Sequence, residues 1–151
     1  MSHIRQRGFS LMELIAVLAI VAVLSVSATA MFSKRSFDTG RFTQEVEAAI
    51  AYAQKEAVAR RRTVSVTVSA ASADFAICKT FNPCGGTVAL PLPTQSGGAS
   101  LAAPTNVALS AVAFNFDPSG MVSGVATPIT ITVTGDISNS VFVEATGYVH
   151  R

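Results

Sequence analysis

Few residues in this chain could do chemistry. The histidines are His3, inside the basic octapeptide MSHIRQRG, and His150, one place from residue 151. With them no Ser/His/Asp set, metal cluster or phosphate-binding loop can be built, so no catalytic residue and no cofactor is expected. Asp117 is one carboxylate, against the roughly six to eight oxygens that calcium takes. In Asp117-Pro118-Ser119-Gly120 it reads instead as the first residue of a type I turn. Cys78 and Cys84 are a local pair. In an exported chain they read as a disulfide worth about 2 kcal/mol, otherwise as two unrelated buried thiols. That leaves Glu13, a lone acid in an apolar run whose next charged residue is Lys34.

The elements that would position these groups begin with that run. Residues 8–32 read GFSLMELIAVLAIVAVLSVSATAMF. As a helix rising about 1.5 Å per residue, the uncharged stretch is roughly 30 Å long, the thickness of a bilayer's hydrocarbon core. Arg5 and Arg7 account for the formal charge of +2, so the chain without its octapeptide is neutral. Such a balance does not support a general basic surface, and a nucleic-acid partner is not expected.

Three readings of this N-terminus compete. A secretory signal fits Arg5, Arg7 and the small residues Ala28-Thr29-Ala30, and would leave a soluble protein starting at Met31. An ordinary anchor also fits the length, with the cysteines favouring a C-terminal part outside the cytoplasm; Arg5 and Arg7 on one side and Lys34 and Arg35 on the other leave its orientation open. Neither has a use for Glu13, since an acid within a membrane usually has a partner. In the third, cleavage after Gly8 makes Phe9 a free amine, and Glu13 lies one helical turn on. The pair then neutralises within one chain or sets the register between adjacent chains.

Gly8-Phe9-Ser10-Leu11-Met12-Glu13-Leu14 resembles the type III signal of type IV pilins and type II secretion pseudopilins. The resemblance implies that a prepilin peptidase cuts after Gly8, that Phe9 is methylated, and that Glu13 is the acid needed for assembly. No proline falls between Phe9 and Phe32, where many major pilins carry one, which favours a minor subunit. Further on, AYAQKEAVARRRTVSVTV and FNFDPSG resemble the GspH/FimT group, and the ending EATGYVH is similar to the MshC-type minor pilin of mannose-sensitive haemagglutinin (MSHA) pili. DNA-binding FimT-like proteins tend to end in Gly-Arg-x-Arg. The matching place here reads Gly147-Tyr148-Val149-His150-Arg151, with tyrosine at one arginine position, so DNA capture is not carried over.

The expected fold is α+β: a long N-terminal helix, transmembrane and then amphipathic, packed on a small antiparallel sheet or sandwich. Residues 1–8 are a leader, 9–33 the transmembrane and polymerisation helix, 34–62 an amphipathic helix, and 63–151 a β-rich periplasmic domain. Ser36-Phe37-Asp38-Thr39-Gly40 reads as a break, with Asp38 or Thr39 as cap. Phe42, Val46, Ala49, Ile50, Ala53 and Ala57 share one helical face, with Gln44, Glu45, Glu47, Gln54, Lys55 and Glu56 in other directions. Arg60-Arg61-Arg62 reads as a basic last turn before a strand rather than an anion-binding patch. Strands are expected over 63–69, 73–78, 87–90, 106–109, 111–116, 121–125, 129–134 and 141–144, with a short extended piece at 146–149. The Pro-, Gly- and Ser-rich 91–105 reads as a surface loop.

The resemblance implies a non-enzymatic minor subunit of an MSHA-like type IV pilus. The alternative is a GspH-type minor pseudopilin of the type II secretion system. Implied partners are other pilin or pseudopilin subunits, the prepilin peptidase and an inner-membrane assembly platform, with no small-molecule substrate. The chain would cross the inner membrane once, its C-terminal domain in the periplasm, before entering a filament.

Overall fold

The structure, a computed structural model, describes residues 11–31, 34–81, 83–93, 98–126 and 128–151. It divides into two compact units, residues 1–34 and 35–151. The first contains helix α1 (Leu11–Met31). Helix α2 (Lys34–Arg60) leads into the second, which holds ten short strands among the described residues.

The face read from the sequence is the face α2 buries. Phe42, Val46, Ala49, Ile50, Ala53 and Ala57 are all enclosed. At about 1.5–3 kcal/mol for each large apolar side chain, this face alone outweighs the helix's modest intrinsic preference. That explains a departure from expectation: α2 runs unbroken through residues 36–40. A glycine inside a helix costs about 1 kcal/mol. Thr39, fully buried, packs against Gly135, so the turn carrying Gly40 is held from outside.

The helix ends on Arg61 in the left-handed region, φ 50°. Arg61 N–H bonds Val58 C=O at 3.2 Å and Arg62 N–H bonds Ala57 C=O at 3.0 Å. This is a Schellman cap with arginine where glycine is usual. One turn back Arg60 Nε lies 2.5 Å from Glu56 Oε2, an enclosed oxygen with this ionic contact and no directed hydrogen bond. Arg61→Gly removes the left-handed penalty at some entropic cost. A gain of about 0.5–1 kcal/mol is expected, read as a higher denaturation midpoint at unchanged slope.

Strands β1 (Val64–Val68), β2 (Ser72–Cys78), β3 (Thr87–Ala89), β4 (Ser100–Ala102), β6 (Val112–Phe116) and β7 (Val122–Ser123) form one antiparallel sheet. Its order is β3-β2-β1-β6-β7, with β4 also on β2. Strands β5 (Ala108–Leu109), β8 (Ile129–Thr134), β9 (Ser138–Val143) and β10 (Val149–His150) form the second, in the order β10-β9-β8-β5. Alternation sets which side chains go inward. Val64, Val66 and Val68, then Ile131, Val133, Val141 and Val143, join the face of α2 in one core. Phe114 and Phe116 meet edge to face at 5.4 Å.

The stretch expected as surface loop is partly core. Leu92 and Leu101 are buried, and β4 pairs with β2, Leu101 opposite Ala73. Lone leucines in a Pro/Gly/Ser-rich segment carry no period, so their burial depends on a strand distant in sequence.

Asp117 caps the turn between β6 and β7. Gly120 N–H closes it onto Asp117 C=O at 2.9 Å. Asp117 Oδ1 accepts from Ser119 Oγ (2.6 Å), Ser119 N–H (2.8 Å) and Met121 N–H (3.0 Å). The Ser119 hydroxyl first, then the backbone N–H groups of Met121, Ser119 and Gly120, hold the carboxyl below its ordinary range, against some desolvation. A carboxyl lowered in the native state stabilises above its unfolded pKa, about 3.9, and loses that contribution as pH falls toward the native value. The stability advantage of the native chain over Asp117→Asn should therefore be full above about pH 4 and shrink below it, measured by urea unfolding across pH.

Candidate functional site

Helix α1 carries Glu13 in its first turn, where the helix dipole favours an acid. The residues around it offer no polar stripe: Leu11, Met12, Leu14, Ile15, Val17 and Leu18 are all more than half exposed. A helix apolar on every side needs lipid or other helices around it. Side chains of α1 are described only from Leu11 to Ser25, shorter than the roughly 20 apolar residues a span takes. Among the described residues no helix is long and apolar enough to cross a membrane. Gly8 and Phe9 lie outside the described residues, and so does the pairing of a Phe9 amine with Glu13.

In the second unit, one side chain joins the two sequence motifs FNFDPSG and EATGYVH. Gln54, on what reads as the polar side of α2, sends Nε2 to Gly120 C=O and to Thr146 C=O, both at 3.2 Å. The turns bracket it closely. Gly120 has φ +86°, and a Cβ there would come within 2.8 Å of Val58 Cγ2. Gly147 has φ +82°, and a Cβ there would collide with Gly120 C=O and the Gln54 amide. Both glycines are required by backbone conformation and by close approach. Sequence reasoning missed Gln54; the signal available was the pair of glycine turns, each wanting something to pack on.

Cys78 and Cys84 are joined, with Cα atoms 5.4 Å apart, inside the usual disulfide range. Cys78, at the end of β2, is buried. The loop between them is tied internally. Thr80 Oγ1 donates to Pro83 C=O at 2.5 Å and accepts from Gly85 N–H at 2.7 Å. Lys79 N–H reaches Gly86 C=O at 2.9 Å, and Phe81 stands exposed.

His150 sits in β10. Its ring stacks with Phe142 and with Tyr148, centroids 5.4 Å apart in each pair, and Nε2 lies 3.2 Å from Glu144 Oε1. Arg151 Nε lies 2.7 Å from Glu47 Oε2 on α2. Among the described residues no group of three or more His, Cys, Asp or Glu could hold a metal.

A long helix with one face laid on two small antiparallel sheets, an apolar N-terminal helix with an acid in its first turn, and matches to the GspH family model and the N-terminal methylation motif together make the chain a minor pilin or pseudopilin of the type IV pilin superfamily. It is similar to two crystal forms of the type IV minor pilin FimU of Pseudomonas aeruginosa (strain PAO1). One form aligns with a TM-score of 0.55 over 76% of this chain and 88% of that one. The other aligns with a TM-score of 0.52 over 74% and 90%, and both are 16% identical to this chain. The prokaryotic N-terminal methylation motif matches residues 4–29. The model of the family described as type II transport protein GspH matches residues 43–147, and the chain belongs to that family. Among curated proteins none matches it in sequence.

Proposed function

We propose that this chain is a non-enzymatic minor subunit of an MSHA-like type IV pilus. The observation that carries the filament-subunit reading is Glu13, set in the first turn of an apolar helix within the methylation motif at residues 4–29, and the ending EATGYVH tilts it to the MSHA-like pilus. Prepilin peptidase removes residues 1–8, and Phe9 becomes the methylated N-terminus. Residues 9–33 hold the subunit in the inner membrane until an assembly platform draws it into a filament. There Glu13 pairs with a Phe9 amine, and residues 34–151 lie on the periplasmic side. The first helix supplies polymerisation; the β domain decides which subunits meet it.

A second reading, a GspH-type pseudopilin of the type II secretion system, is favoured by the family's own description. Deleting the chain separates the two: loss of surface pili supports the first, and retention of exoproteins in the periplasm supports the second. Mass spectrometry of the mature N-terminus tests the shared premise. A chain starting at methylated Phe9 is expected. A start at Met31 would instead mean a secreted soluble protein and would sink both readings.

A further inference from the structure

The three arginines at the end of α2 go to different places. Arg60 is the basic residue of the helix's last turn and meets Glu56. Arg61 leaves the helix in the left-handed region, φ 50°, where an arginine is strained and a glycine is not. Arg62 stands where β1 is about to begin. Cys78 N–H bonds Thr63 C=O at 2.9 Å, which carries the pairing of Val64 with Ile77 one residue further. Arg62 and Lys79 flank that bond, so like charges end up on adjoining strands, an unfavourable arrangement when nothing offsets it.

Among the described residues no acid pairs with Arg61, Arg62 or Lys79, whereas Arg41, Arg60 and Arg151 each meet a glutamate. Asp117 follows Phe116, the partner of Val64 on the other side of β1, but its Oδ1 is taken up by its own turn. Lys79 also opens the loop closed by the Cys78–Cys84 bond, which holds Phe81 out with 63% of its surface exposed. Thr80 fixes that loop through Pro83 C=O and Gly85 N–H. An exposed aromatic and uncompensated arginines are what the centre of an interface is made of, and a loop already fixed loses little freedom on binding. The strain at Arg61 is a cost to the fold that a binding role accounts for.

We propose that this end of the domain docks an acidic surface of a different filament subunit, with Phe81 entering an apolar depression there and Arg61, Arg62 and Lys79 facing its carboxylates. The inference rests on the filament reading above. Charge complementarity selects the occupant. A second copy of this chain does not supply it: the four glutamates of the second unit each meet an arginine or a histidine, and Asp74, Asp117 and Asp136 have partners of their own. Nucleic acid is the poorer match. Proteins held by phosphate make about six to ten such contacts, and three cations stand here in a chain that is neutral without its octapeptide.

The test uses the full chain in producing cells. Phe81→p-benzoylphenylalanine, irradiated in sheared filaments, should cross-link to an acidic segment of another subunit, identified by mass spectrometry. Arg62→Glu with Lys79→Glu should lower incorporation into filaments at least about tenfold, while the charge-keeping Arg62→Lys with Lys79→Arg enters at a near-native level. An intact Cys78–Cys84 bond and an unchanged unfolding midpoint report the fold of these variants. Arg61→Gly decides the matter if the glutamate pair fails to fold. It should be the more stable protein and still enter filaments about threefold less, the effect of one exposed charge. A cross-link to a second copy, to a segment without acids or to nothing overturns the proposal, as does normal incorporation of the folded glutamate pair or of Arg61→Gly. Retention of a short duplex or single-stranded DNA by the native chain, lost in the glutamate pair, assigns this end to nucleic acid and overturns it too. If Glu13→Ala is excluded from filaments while the glutamate pair enters them, the filament reading stands and this one falls. If the native chain never enters filaments, both fall.

Discussion

Gly147→Ala is expected to cost about 3 kcal/mol, a large part of a small domain's stability. Two terms add. Alanine is strained at φ +82°, and its Cβ would occupy the space of the Gly120 carbonyl and the Gln54 amide. Neither neighbour yields cheaply, because Gly120 is itself fixed against Val58 and the amide is shared between two turns. Urea denaturation gives the value directly. Gly40→Ala is the matched control, with the opposite sign. Its Cβ meets nothing within 4 Å, so the gain in helix propensity, about 1 kcal/mol, should appear unopposed. If Gly147→Ala unfolds at the native midpoint, the close approach does not hold in solution.

The second large effect concerns Glu13 and rests on the proposed function. Glu13→Ala should leave membrane insertion intact or improve it, because an acid within the apolar region costs up to about 2.5–3.5 kcal/mol. Incorporation into filaments should fall at least about tenfold, since removing one partner of a desolvated ion pair leaves the other charge uncompensated. Immunoblots of membranes and sheared filaments from the same cells give the ratio. Normal assembly of the variant would refute the pairing.

What could be read from the sequence follows the range of the interactions involved. Phe42 to Ala57 announce their face because a helix repeats every few residues, and Val64, Val66 and Val68 announce theirs because a strand repeats every two. The disulfide was legible because its two cysteines are near neighbours. Gln54 was not: its partners at Gly120 and Thr146 are distant in sequence, and a glutamine on a helix's polar side ordinarily faces water. Leu92 and Leu101 were hidden for a related reason, since each is single in its segment, and Leu101 meets β2, remote in sequence. Continuation of α2 through Gly40 was a tertiary decision, taken at Thr39 and Gly135. Glu13 could be read because it is the exception in its surroundings.

The Gln54 clamp also has a consequence for timing. Its ends are residues 54, 120 and 146, and the apolar side of α2 is covered in part by Val141 and Val143. Until those residues have been made, that side of the helix has no lid, and the domain cannot close however long the ribosome pauses. The clamp therefore cannot fasten before residue 146 exists, whatever the earlier residues have already formed.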